Sequence, residues 1–173
     1  MNKKIMYIIT ILSTAVLLFL DQIVKYLAVL HLKGQAAIPI IKNVFELQYL
    51  ENQGAAFGIM QGKKTFFVIG TLIFLVIVVI LYHNIPLTKR FTPIRIVAVL
   101  IVAGAIGNMI DRVVHQYVID FFYFKLINFP IFNVADIYVV VACILFILLM
   151  LFYYKEEELG QIFPFMKSKK AEE

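Results

Sequence analysis

The chain has 173 residues, 62% of them hydrophobic and 16% charged, with a formal net charge of +5 and a mean hydropathy of +0.92. A soluble domain carries about 25% charged residues, so this composition excludes an ordinary water-soluble globule and points to a membrane. Nucleic acid is excluded as a partner too, because the sixteen Lys and Arg are scattered between apolar runs and form no stripe that could follow a phosphate backbone.

Four charge-free apolar runs, 5–20, 65–82, 96–110 and 137–154, approach the roughly 20 residues that cross a bilayer. Extended by a few tolerable residues, they predict spans at about 4–26, 65–83, 94–113 and 135–154 of a single membrane domain, 1–173. That leaves loops at about 27–64 and 114–134 and a charged, loose tail over 155–173. The fold class is thus an all-α integral membrane protein. The first run begins like a secretory signal, but no small-residue cleavage pattern follows it, and it is read as a retained span. Near its end Asp21 and Lys25 stand four apart with the acid first. They form either an ion pair of the favourable order or a pair of interfacial anchors.

In the first loop NVFELQYL, 43–50, places Phe45, Leu47 and Tyr49 on one face and Glu46 and Gln48 on the other, a strand pattern. ENQGAAFG, 51–58, comes next. Its Asn52 and Gly54 make a tight turn, the reading composition favours, or present backbone N–H groups to a substrate. A short turn with Pro86 joins the second and third spans. The third span ends in GAIGNMIDR, 104–112, where Asn108, Asp111 and Arg112 share a helix face. Gly104 and Gly107 leave room for a close helix crossing. A crossing ended by interfacial anchors explains the glycines well and Asn108 poorly.

VIDFFYFKLINFPIFNVADIY, 118–138, follows, and its aromatic-rich part 120–126 predicts a second strand. The two strands would form a small sheet on the membrane surface. Asn133 and Asp136 fit an N-cap and a first-turn acid of the fourth span. Asp120, between Ile119 and Phe121, has no cap to serve.

Four spans return the chain to its starting side, so Asp21, Asp111, Asp120 and Asp136, the only aspartates, all fall at one end of the bundle. Nine basic residues lie on the side of the termini, in short segments, against seven on the other. The positive-inside rule then places both termini in the cytoplasm and the aspartates outside, although Lys63 and Lys64 run against it. Ionisable groups beside hydrocarbon are functional candidates. Two carboxylates held close share a proton, so the ionised one can take a proton from water while the other polarises a carbonyl and later protonates a leaving amine. Asp120 and Asp136 are the candidates for that pair. The lone Cys143 and the well-separated His31, His83 and His115 show no metal-ligand spacing. A proton-coupled transporter or channel is the alternative, but no relay of ionisable groups crosses the centres of the spans. A third reading makes the polar residues mere helix-packing elements of an assembly subunit.

The motifs DQxxK (Asp21, Gln22, Lys25), NxGAAFG (52–58), GxxGNxxDR (104–112), VIDFF (118–122) and FNxAD (132–136) resemble, in this order, those of the bacterial lipoprotein signal peptidase family, signal peptidase II. The resemblance implies a membrane aspartyl endopeptidase with four helices and a small extracytoplasmic sheet. Such an enzyme cuts the signal peptide from a prolipoprotein just before a diacylglyceryl-modified cysteine. It implies Asp120 and Asp136 as the catalytic pair, with Asn52, Asn108, Arg112 and Asn133 as the polar residues around them and Asp21 as a further motif acid; Lys25, Gly54 and Asp111 are counted with the substrate-binding or site-supporting residues. It further implies no metal or organic cofactor, membrane lipids as surroundings, a monomer, and a site near the outer surface of the cell membrane that a globomycin-type inhibitor would occupy.

Overall fold

Among the residues described by the computed structural model, 2–54 and 64–163, four helical segments are long and apolar enough to cross a membrane. They are α1 (Lys3–Leu32), α2 (Lys64–Asn84), α3 (Thr92–His115, entered through a 3-10 turn, Lys89–Phe91) and α4 (Val134–Leu148, prolonged by a π-helical turn, Leu149–Tyr153). In hydrocarbon every backbone N–H and C=O must be paired within its own segment, so runs rich in Ile and Val close into helices despite their weak intrinsic preference.

α3 is the central helix and packs against α1, α2 and α4. Its small residues make this possible. A Cβ on Gly104 would come within 2.5 Å of the Ala135 carbonyl oxygen, and one on Gly107 within 2.6 Å of Asp21 Oδ2. Glycine at both positions lets the start of α4 and an acid of α1 lie directly on α3. α2, by contrast, buries fully only Tyr82 and leaves most of its Ile, Leu and Val side chains exposed.

The first span does not stop at 26. α1 continues through 30 residues to Leu32, about 45 Å, well beyond the hydrocarbon thickness. Lys25 reads in the sequence as the approach of water, but it is neutralised inside the bundle and the helix runs on. Its last turns carry Ala28 and Leu32 onto Ile119 and Phe121, forming a small core under the sheet.

That sheet has three antiparallel strands in the order β1 (Ile38–Ile41), β2 (Phe45–Asn52), β3 (Val118–Tyr123). The alternation in 43–50 becomes β2, and Phe45 lies against Phe122 and Phe124 at centroid distances of 6.0 and 5.0 Å. β1 goes unread in the sequence because Pro39 breaks its pattern; an edge strand tolerates proline, and β1 is at the edge. Asn52 pairs with Val118, which puts its side chain on the same face as that of Asp120, two residues along β3.

The segment after Tyr154 is not a loose tail where it is described. Glu156–Ile162 form α5, which folds back so that Leu159 and Ile162 are buried with Tyr82, Phe91 and Tyr154 at the far end of the bundle. Arg90 holds it through a 2.8 Å ion pair with Glu158.

Candidate active site

Asp120 sits on β3 with 1% of its surface exposed. Its Oδ2 accepts a hydrogen bond from Asn52 Nδ2 at 2.8 Å and its Oδ1 one from Asn133 Nδ2 at 2.6 Å. Both amides are oriented by their other ends. Asn52 Oδ1 accepts from Gly54 N at 3.0 Å, and Asn133 Oδ1 from Asp136 N at 3.1 Å. With the oxygens so engaged, each amide presents its nitrogen to the carboxylate.

Asp136 does cap α4, as its position suggests. Asn133 and Asp136 form a capping box in which Asp136 Oδ2 accepts from Asn133 N at 3.1 Å. Its second oxygen is free for other work and accepts from Asn108 Nδ2 at 2.8 Å. Asn108 Oδ1 in turn accepts from Asn133 Nδ2 and from Lys25 Nζ, both at 3.1 Å. Asn133 thus touches both acids, and Asn108 connects Asp136 to the cation behind it.

That cation belongs to a second buried cluster. Lys25 Nζ lies 3.0 Å from Asp21 Oδ2 and 2.9 Å from Asp111 Oδ2, with all three side chains 1% exposed or less. Together with Asn108 these acceptors use its three N–H donors. Each acid also grips a backbone amide. Asp111 Oδ2 accepts from Ile119 N at 3.1 Å, and Asp21 Oδ1 from Ala135 N at 2.9 Å. Ile119 and Ala135 immediately precede Asp120 and Asp136, so the cluster fixes the backbone under both acids. Gln22 completes it by donating to Asp21 and Asp111, each at 3.1 Å. Gln22 has no assigned role in the sequence reading; its place beside Asp21 inside a span was the available signal.

Arg112 does not follow Asn108 and Asp111 onto one face. It turns the other way, donating to Asn108 O at 3.3 Å and Gly54 O at 3.2 Å, with its guanidinium 4.8 Å from the Phe67 ring centroid. Its charge nevertheless interacts with Asp136 and Asp120. Of the 51–58 loop, residues 55–58 lie outside those described; Asn52 and Gly54 are both at the site.

Asp120 and Asp136 line one cavity of about 590 Å³, with Asn52, Gly54, Asn108 and Arg112. Apart from Thr71 its remaining wall is apolar, from Phe129 and Pro130 in the loop to Val141 within α4. Burial, and then the charge of Asp136, push Asp120 up to about 7, against the opposing pull of the two amides and of Lys25. Among the described residues no group of three or more His, Cys, Asp or Glu could hold a metal ion.

Fold and site together define a multi-pass membrane protein with a carboxylate-bearing cavity at one end of its helices. The family described as signal peptidase (SPase) II matches residues 13–152. The lipoprotein signal peptidase of Caldanaerobacter subterraneus subsp. tengcongensis is 44% identical over 136 residues, covering 78% of this chain and 90% of that protein. That of Clostridium novyi is 44% identical over 131 residues, covering 74% and 87%. A solved bacterial membrane enzyme at 1.9 Å resolution superposes with a TM-score of 0.72 at 34% identity, covering 84% of this chain and 94% of that one. The chain belongs to the signal peptidase II family and is a multi-pass bacterial membrane protease of an aspartic peptidase family.

Proposed function

We propose that this protease acts on prolipoproteins, cleaving the signal peptide immediately before a diacylglyceryl-modified cysteine, with Asp120 and Asp136 as its acid/base pair. The observation that carries the reading is the convergence of these two acids, from β3 and α4, on one cavity, each held among the described residues by N–H donors. An apolar wall reaching into α4 suits a substrate whose acyl chains remain in lipid.

The raised Asp120 is the partner that holds the shared proton, and Asp136 is the base. Asp136 takes a proton from water as its oxygen attacks the scissile carbonyl carbon. Asp120 gives its proton to the carbonyl oxygen. The tetrahedral intermediate then collapses: the C–N bond breaks, the hydroxyl proton returns to Asp120, and Asp136 passes its proton to the leaving cysteine nitrogen. Arg112, whose charge reaches both acids, steadies negative charge at the site. Lys25 acts one step removed, by holding Asn108 Oδ1 so that Nδ2 faces Asp136.

The test is to incubate detergent-solubilised protein with a diacylglyceryl-modified precursor and with its unmodified form. Only the first should release signal peptide, and a globomycin-type inhibitor bound in the cavity should block the release. Equal cutting of both forms would overturn the cleavage specificity, and no cutting of either would overturn the function.

The pair works only with one proton aboard and titrates as a unit. Because Asp120 is raised to about 7, kcat/KM is expected to fall as pH rises through about 7. Initial rates from about pH 5 to about pH 9 check this; a rate flat to the alkaline end would remove Asp120 as the proton holder. The shift has a stability counterpart. The native state binds this proton more tightly than the unfolded chain, so its contribution is full below the ordinary carboxylate range and is lost as pH rises through about 7.

The charge distribution supports an outward-facing dyad with both termini in the cytoplasm. A Lys125→Cys change in a Cys143→Ser background should react with a membrane-impermeant maleimide applied outside intact cells. Labelling only after the membrane is opened would reverse the orientation.

A further inference from the structure

At the opposite end of α3 a second groove, of about 280 Å³, runs between α1 and α3. Its walls are mostly apolar, Met6, Ile9 and Leu17 on α1 and Ile96 and Leu100 on α3, with Ser13 and Arg95 among the lining. Arg95 precedes Asn108 by thirteen residues, so this groove lies about 20 Å from the acid pair along the helix. It lies toward the opposite ends of α1 and α3 from that pair.

Arg95 is 7% exposed, yet no carboxylate pairs with it among the described residues. The other buried base, Lys25, has two. The guanidinium of Arg95 donates only to neutral carbonyls: Thr88 O at 3.4 Å, Ile85 O at 3.5 Å and Pro86 O. Among the described residues its Nε is buried with no partner. A buried cation without an anion is costly, and five N–H donors in a planar fork match a phosphate better than they match scattered carbonyls. Two of the three carbonyl contacts are long and yield readily to a better acceptor, which a small rotation of the guanidinium would bring to Nε.

We propose that this groove holds one anionic phospholipid, its phosphate on Arg95 and an acyl chain along the apolar walls between α1 and α3. The unpaired charge and the apolar wall lie side by side in this groove. The site is separate from the peptidase cavity and stands whatever the fate of the cleavage reading.

The test uses the purified full chain, stripped of lipid in detergent and supplied with equimolar phosphatidylglycerol and phosphatidylcholine. Native mass spectrometry then reads the lipid retained. The expected result is one phosphatidylglycerol per chain, preferred by at least about fivefold. Arg95→Gln should abolish the preference, and Lys3→Gln with Lys4→Gln should leave it in place. Ser13→Phe, an exposed position inside the groove, should remove the retained lipid without changing the unfolding temperature, and it decides the matter if Arg95→Gln fails to fold. Equal retention of the two lipids by the parent chain, an undiminished preference in Arg95→Gln, or retention unaffected by Ser13→Phe would each overturn the proposal.

Discussion

Asp120→Asn and Asp136→Asn are each expected to lower kcat for a lipid-modified precursor by roughly 10³-fold or more while the protein still inserts and folds. The reason is specific to the way each carboxylate is held. Asp120 receives an N–H on either oxygen, from Asn52 and from Asn133, and neither amide can turn round because its own oxygen is engaged. An Asn at 120 can accept one of these bonds and must point its own nitrogen at the other donor. The cost in stability is about 1–3 kcal/mol, far below what removes a fold buried across four helices. Asp136 is placed alike, between Asn108 Nδ2 and the Asn133 backbone N–H. Activity and unfolding temperature measured together separate chemistry from folding. A variant that keeps more than about one-hundredth of the parent rate would dismantle the acid/base assignment.

Lys25→Met is expected to destabilise the protein more than either of those changes. It leaves Asp21 and Asp111 buried and uncompensated, an arrangement that costs about 3–5 kcal/mol, or roughly 10 °C in unfolding temperature for a chain of this size. It also removes one of the two donors that hold Asn108 Oδ1 and so loosens the amide that faces Asp136, and kcat should fall in whatever fraction remains folded. Adding Asp111→Asn to Lys25→Met removes one of the stranded charges and should recover part of the stability but not the rate. Lys25→Arg should not rescue, because a planar guanidinium cannot address three acceptors around one nitrogen at a site only 1% exposed. If Lys25→Met melts like the parent, the buried cluster is not what holds the site.

Much of the fold is legible in the sequence because the bilayer is a severe solvent. A run of some 20 apolar residues has few alternatives to a spanning helix, and four such runs appear. Counting them is enough to gather every aspartate at one end. The period-two pattern in 43–50 marks β2 for a similarly local reason, since one face of a sheet strand meets apolar side chains. What escapes is what depends on distant partners. α1 runs on past Lys25, whose charge is met by Asp21 on its own helix and by Asp111 on another. α5 is ordered only because Tyr82 and Phe91 are there to receive Leu159 and Ile162. Both segments carry charges, and charge alone reads as solvent.

The site divides in the same way. Residue type and spacing by themselves single out Asp120 and Asp136, make Asp136 a helix-capping acid, and mark Asn52, Asn108, Arg112 and Asn133 as polar groups in need of a reason. Only the tertiary structure decides the direction each one faces. Asn108, Asp111 and Arg112 share a helix face by spacing, yet they separate toward an acid of the pair, the buried lysine and the Gly54 carbonyl. Hydrogen bonding is directional and extends about 3 Å, so a side chain's partner is set by whichever segment folding delivers to that distance. Hydrophobic transfer into lipid has no such direction and is written residue by residue along the chain. That difference is why the spans are found in the sequence and the arrangement of the two acids, with the lysine cluster that supports their backbone, is found only in the fold.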